Sequence, residues 1–102
     1  MHHDEVISTE AIQGLIRTID VEVKQPSITW ETLNHLVTER LVYLLLHDME
    51  GLLQLLYKVD VNEKKVKEAF AQNNPKAIAP ELARLIITRE LEKAKHRKDY
   101  KP

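Results

Sequence analysis

Apolar positions recur along this chain at helical spacing. Ile12, Leu15, Ile16, Ile19 and Val23 fall at i, i+3, i+4, i+7 and i+11, one face of a helix. Ser8 or Thr9 is placed to cap its start. Pro26 marks its end, because the residue before a proline is driven out of the α region. Ile19 to Lys24 also alternates apolar and polar, the mark of a strand. A lone strand is unstable and no partner is visible in the chain, so the helical reading is preferred.

Thr29 reads as the next N-cap. From Trp30, the positions Leu33, Leu36, Val37, Leu41, Leu44 and Leu45 form a stripe of about four turns, while Val42 and Leu46 fall on the opposite side. His47-Asp48-Met49-Glu50 breaks the pattern, and Asp48 is placed to cap a third helix. Its buried face reads Met49, Leu52, Leu53, Leu56 and Val59, with Leu55 widening it. Asn62 caps a short fourth helix carrying Val66, Ala69 and Phe70, and Asn73-Asn74-Pro75 is a turn signal. The last helix starts between Pro75 and Pro80, with Pro80 expected in its first turn, where its missing N–H costs nothing. Ile78, Leu82, Leu85 and Ile86 face inward, and Ile87 and Leu91 widen the arc. The run Lys95-His96-Arg97-Lys98 then complements the helix dipole.

These elements predict an all-α fold, a small four- to five-helix bundle with short connections. Residues 1–102 are read as one helical domain. Within it, residues 1–28 form an N-terminal helical arm, 29–98 the core bundle and 99–102 a frayed tail. The expected core is Leu33, Leu36, Val37, Leu44, Leu52, Leu53, Leu56, Val66, Phe70, Leu82, Leu85 and Ile86.

Composition sharpens this in three places. A chain of 102 residues supports one modest core. Two glycines are too few for the tight turns of an all-β fold. The absence of cysteine excludes disulfides and thiolate metal sites and suits a reducing compartment. The longest apolar run, Leu41 to Leu46, is far short of the roughly 20 residues of a membrane span. Residues 1–25 carry acids and no basic apolar stretch, so no leader is expected. A cytoplasmic protein follows as the expectation.

The net charge is −1 but unevenly spread. Residues 1–51 hold three basic and nine acidic groups, and residues 52–102 twelve basic and seven acidic. Such polarity bears on partners or self-association rather than on fold. Most of it reads as solvated helix faces.

Candidate chemistry is sparse. Ser8 and Ser27 sit at expected helix starts, where capping accounts for them, and no nucleophile–base pair is visible; no catalytic residue and no cofactor are assigned. Glu31, His35 and Glu39 share a helix face at i, i+4, i+8, a spacing that can bring two ligands to one metal. Such sites normally draw further ligands from facing helices, so no metal is assigned there. Met1-His2-His3 can chelate Cu(II) or Ni(II) as any chain with that start can.

Arg40 and Arg89 fall inside apolar arcs, where a charge must be paired, must reach out to solvent, or must line an anion site. With Lys93, Lys95, Arg97 and Lys98 they form the candidate anion or nucleic-acid contacts. Glu90, Glu92 and Asp99 dilute that cluster, and no nucleic-acid-binding motif accompanies it. Val42, Leu46, Leu55 and Leu91 are apolar residues off the main stripes. They mark either a covered central helix or an interface, with a homodimer the simplest form.

Two segments carry a resemblance: Leu52-Leu53-Gln54-Leu55-Leu56-Tyr57-Lys58-Val59-Asp60-Val61-Asn62-Glu63 and Leu82-Ala83-Arg84-Leu85-Ile86-Ile87-Thr88-Arg89-Glu90-Leu91. Together, over roughly a quarter of the chain, they resemble a group of small uncharacterised helical bacterial proteins of the Bacteroidetes type. The resemblance implies a small helical bacterial cytoplasmic protein and brings no activity, cofactor or catalytic residue. By elimination, the function expected is a non-enzymatic protein–protein interaction or assembly module. The alternative is a nucleic-acid-associated accessory protein using the basic C-terminal end.

Overall fold

The computed structural model describes residues 5–99. Their order is strand β1 (Val6–Ser8), a 3-10 turn (Glu10–Ile12), helix α1 (Gln13–Ile19), strand β2 (Ser27–Thr29) and four further helices, α2 (Trp30–His47), α3 (Met49–Val59), α4 (Glu63–Phe70) and α5 (Pro75–Asp99). The fold is an all-α bundle with one two-stranded sheet attached.

The caps follow local chemistry. The Thr29 side chain accepts from the Thr32 N–H, Asp48 from Gly51 and Asn62 from Lys65, each satisfying an orphan donor of a first turn. Asn74 does the same for α5, its Oδ1 accepting from the Lys76 N–H. That helix therefore begins at Pro75, and Pro80 lies inside it rather than in its first turn as expected. The carbonyl that Pro80 leaves without a donor belongs to Lys76, an exposed residue that water reaches.

The N-terminal segment departs most from expectation. Its helix stops at Ile19 and does not run to Val23. Asp20 adopts the left-handed conformation, its N–H bonding to the Arg17 carbonyl, while the Val21 N–H reaches back to Ile16 at 3.2 Å. This is a Schellman closure with Asp where glycine is usual. Strand pairing does occur, but on either side of Ile19 to Lys24, the segment of the strand reading set aside above. β1 and β2 run antiparallel with Ile7 opposite Ile28, and both isoleucines are buried while their strand neighbours are exposed. Ser8 and Ser27 are thus strand residues and cap nothing. Thr9 lacks a side-chain cap bond; its hydroxyl instead donates to the Gln25 carbonyl at 2.9 Å, tying the two ends of the arm together.

One hydrophobic cluster unites the described elements. Ile7, Ile12, Leu15, Ile16, Ile19 and Ile28 join it from the arm, so residues 5–28 are seated on the bundle. α5 is the central helix. Ala79, Leu82, Ala83, Ile86 and Ile87 are fully buried and, together with the buried Ile78 and Leu85, span slightly more than half of its circumference. Its most extensive partner is α2, and it also meets α3, α4 and the 3-10 turn. Alanines at 79 and 83 let a neighbouring backbone come close.

The expected core holds for Leu33, Val37, Leu44, Leu52, Leu56, Leu82, Leu85 and Ile86, all buried. Leu36, Val66 and Phe70 are only partly buried. Leu53 and Leu55 exchange roles: Leu55 is 5% exposed and Leu53 52%. The apolar arc of α3 has two flanks, and only the packing of α2 and α5 selects which one is covered. The helix α5 extends to Asp99, the first residue of the expected tail; residues 100–102 lie outside the described residues.

Candidate interaction surface

The corner between α2 and α3 builds the surface. α2 ends at His47, and Asp48, the one residue between the helices, has φ −154° and ψ 70°. Its carboxylate then caps α3 through the Gly51 N–H at 2.9 Å. The break turns two apolar rows outward on either side of one residue. Tyr43 and Leu46 close α2, and Met49, Leu53 and Tyr57 follow on α3 at i, i+4 and i+8, where side chains stack along one face. They are 51%, 61%, 43%, 52% and 89% exposed respectively, and among the described residues Val6 is the one other large exposed apolar side chain.

Polar contacts fix the rim. The Arg40 guanidinium lies over the Tyr43 ring, 5.2 Å from its centroid, within cation–π range. Tyr43 and His47 bring their rings to 4.8 Å. Arg40 is thus partly buried, its charge resting on an aromatic face. Beyond Leu53 and Tyr57 the surface dips into a groove of about 880 Å³ between α3, α4 and α5, which Val61, Val66, Arg84 and Arg89 also line. Arg84 donates to the Glu81 carboxylate one turn earlier. That hydrogen bond holds its pKa above the ordinary value, against the opposing effect of burial, with the Glu81 charge adding a lesser upward push.

The residues expected at an interface fare differently. Leu46 is exposed. Leu55 is core, and Val42 and Leu91 are partly buried against the core. The reason is that α5, not α2, occupies the centre, so the second side of α2 is only half covered. Tyr43 and Tyr57 are not singled out from sequence, and Met49 and Leu53, read there as part of the buried face of α3, are instead exposed. Met49, Leu53 and Tyr57 share an i, i+4 row, but the same row reads equally well as core.

Of the basic candidates, Arg40 lies apart on α2, while Arg89, Lys93, Lys95 and Arg97 share one side of α5. Arg89 donates through Nε to the Asp60 carbonyl at 3.2 Å and pairs with the Asp60 carboxylate at 3.4 Å. Lys93 donates to the Val59 carbonyl at 2.9 Å and pairs with Glu90 at 2.7 Å. Both cations therefore close the C-terminus of α3, where orphan carbonyls and the dipole favour positive charge. Lys95 and Arg97 are exposed near the end of α5 and line a second depression with Arg89, Lys93, His96 and the acidic Glu92. The Lys98 side chain lies outside the described residues.

On α2, His35 approaches Glu39 at 3.3 Å on an exposed face. No three His, Asp or Glu side chains converge among the described residues as metal ligands would. The N-terminal His2 and His3 lie outside the described residues. No helix among the described residues is long and apolar enough to cross a membrane. Compared with known proteins, the chain matches no protein-family model, no curated protein and no solved structure.

Proposed function

We propose that this chain is a non-enzymatic protein–protein interaction module whose contact surface is the face formed by the end of α2 and the outer row of α3. One observation carries the reading. Five large side chains, Tyr43, Leu46, Met49, Leu53 and Tyr57, are 43–89% exposed on two successive helices, and a concentration of large exposed apolar side chains marks a site that is covered in use. Tyrosine and methionine are also enriched in protein interfaces. The cysteine-free composition and the resemblance of residues 52–63 and 82–91 to bacterial proteins support action in a bacterial cytoplasm. The nucleic-acid reading draws less support, because Arg89 and Lys93 are engaged in closing α3.

Photo-cross-linking in the expressing cell tests the proposal. With Tyr57 replaced by p-benzoylphenylalanine, irradiation should yield one discrete protein adduct. The same label at Lys64, an exposed residue of α4, should yield none. Absence of an adduct at position 57, or equal labelling from both positions, refutes the proposal.

A further inference from the structure

We infer that the partner on this face is a second copy of this chain, with α3 packed antiparallel against its symmetry mate about a two-fold axis at Leu53 and Gln54. The inference rests on the interaction-module reading and names its partner.

The first argument is self-complementarity. A two-fold contact requires that when residue i meets residue j, j also meets i. The outer row of α3 has that form: Leu53 is its midpoint, with Met49 four residues before and Tyr57 four after. Antiparallel packing sets Leu53 against its own copy and Met49 against the partner's Tyr57. The latter is a thioether–aromatic contact, which is favourable.

The second argument is charge. The adjoining exposed row is Glu50, Gln54 and Lys58, again at i, i+4 and i+8. The same two-fold axis sets Glu50 opposite the partner's Lys58, twice, with Gln54 facing its own copy at the centre. Neither Glu50 nor Lys58 is engaged in an ion pair within the described residues. A parallel arrangement would set like charges together at both ends, which opposes association.

The third argument is area. Met49, Leu53 and Tyr57 are 43%, 52% and 89% exposed, so the row has apolar surface to bury, on the small side of the roughly 800 Å² per partner of a standard stable interface. The flanking Glu50–Gln54–Lys58 row and the rim of the groove below Tyr57 add to it. Interfaces smaller than the standard size are characteristic of weak, transient association.

Light scattering on the purified full chain tests this. The mass should rise from 11.9 kDa toward twice that value between about 1 µM and 500 µM protein. Leu53→Glu should hold it at the monomer value. Glu50→Lys and Lys58→Glu each create two like-charge contacts, and each should weaken association about tenfold at low salt, less at high salt. The double variant should restore the original Kd to within about threefold, because opposite charges face each other again. It is also the variant least suited to the α3 dipole, so a merely structural effect would make it the worst of the three.

Register is read with single thiols, since the chain has no cysteine of its own. Met49→Cys mixed with Tyr57→Cys should form a mixed disulfide, and neither should cross-link with itself. Self-cross-linking of Met49→Cys, or a double charge variant weaker than both singles, overturns the antiparallel assignment. A mass fixed at the monomer value overturns self-association. If position 57 still cross-links to a different protein in the cell, the interaction reading stands without it; if it does not, both fall.

Discussion

Gly51 and Asp48 together form the corner from which the proposed surface extends, and a double-mutant cycle exposes their coupling. Glycine inside a helix costs about 0.8–1 kcal/mol relative to alanine, so Gly51→Ala is nominally stabilising. A Cβ at position 51, however, would sit 2.3 Å from the Asp48 Oδ2 and 2.8 Å from its Cγ. The carboxylate must swing away, and the cap it makes to the residue 51 N–H is lost at about 1 kcal/mol. Gly51→Ala should therefore change stability by close to zero. Asp48→Ala alone should cost about 1 kcal/mol. With the carboxylate gone, the added methyl meets no obstruction from it, and the double variant should return to near the original stability. The expected coupling is about 1 kcal/mol, equivalent to about 4–8 °C in Tm for a domain of this size. Urea unfolding at one protein concentration, with m unchanged across the four proteins, measures it. Full stabilisation of about 1 kcal/mol by Gly51→Ala with Asp48 present, together with simple additivity, would refute the reasoning.

The exchange of Leu53 and Leu55 gives a second test by chemical denaturation of the monomer. Leu55→Ala empties a buried site and should cost about 2–5 kcal/mol, whereas Leu53→Ala should cost less than about 1 kcal/mol. The reverse order would place the wrong flank of α3 in the core. Arg89→Ala and Lys93→Ala each remove a donor from the last carbonyls of α3, and each should lower stability by about 1 kcal/mol. Hydrogen exchange should then quicken in the last turn of α3 before it does in α2; no stability change in either variant would leave these cations without a structural role.

Much of the helical architecture was legible because its signals are local. The caps at Thr29, Asp48 and Asn62 need only the residue and the one three positions on, and the stripe Leu33, Val37, Leu44 needs only helical periodicity. The β1–β2 pair is different in kind. Three residues are too few to establish alternation, and the partner of Ile7 is Ile28, across an intervening helix. Pairing at that separation is decided by what the arm can bury against the bundle, which no local pattern encodes.

The same limit governs the candidate surface. The sequence determined that α3 is apolar around much of its circumference, that Asp48 caps its start, and that Met49, Leu53 and Tyr57 share a row. Only the tertiary structure decided which side of that arc faces solvent. α5 takes the centre: the residues it buries, from Leu85 round to Ile87, cover a wider arc than those of α2 or α3, and Ala79 and Ala83 among them are small enough for close approach. Once α2 lies along it, α3 turns Leu52, Leu55, Leu56 and Val59 inward. Leu53 and Tyr57 are left outside because a helix packed on one side cannot bury both edges of a broad apolar face.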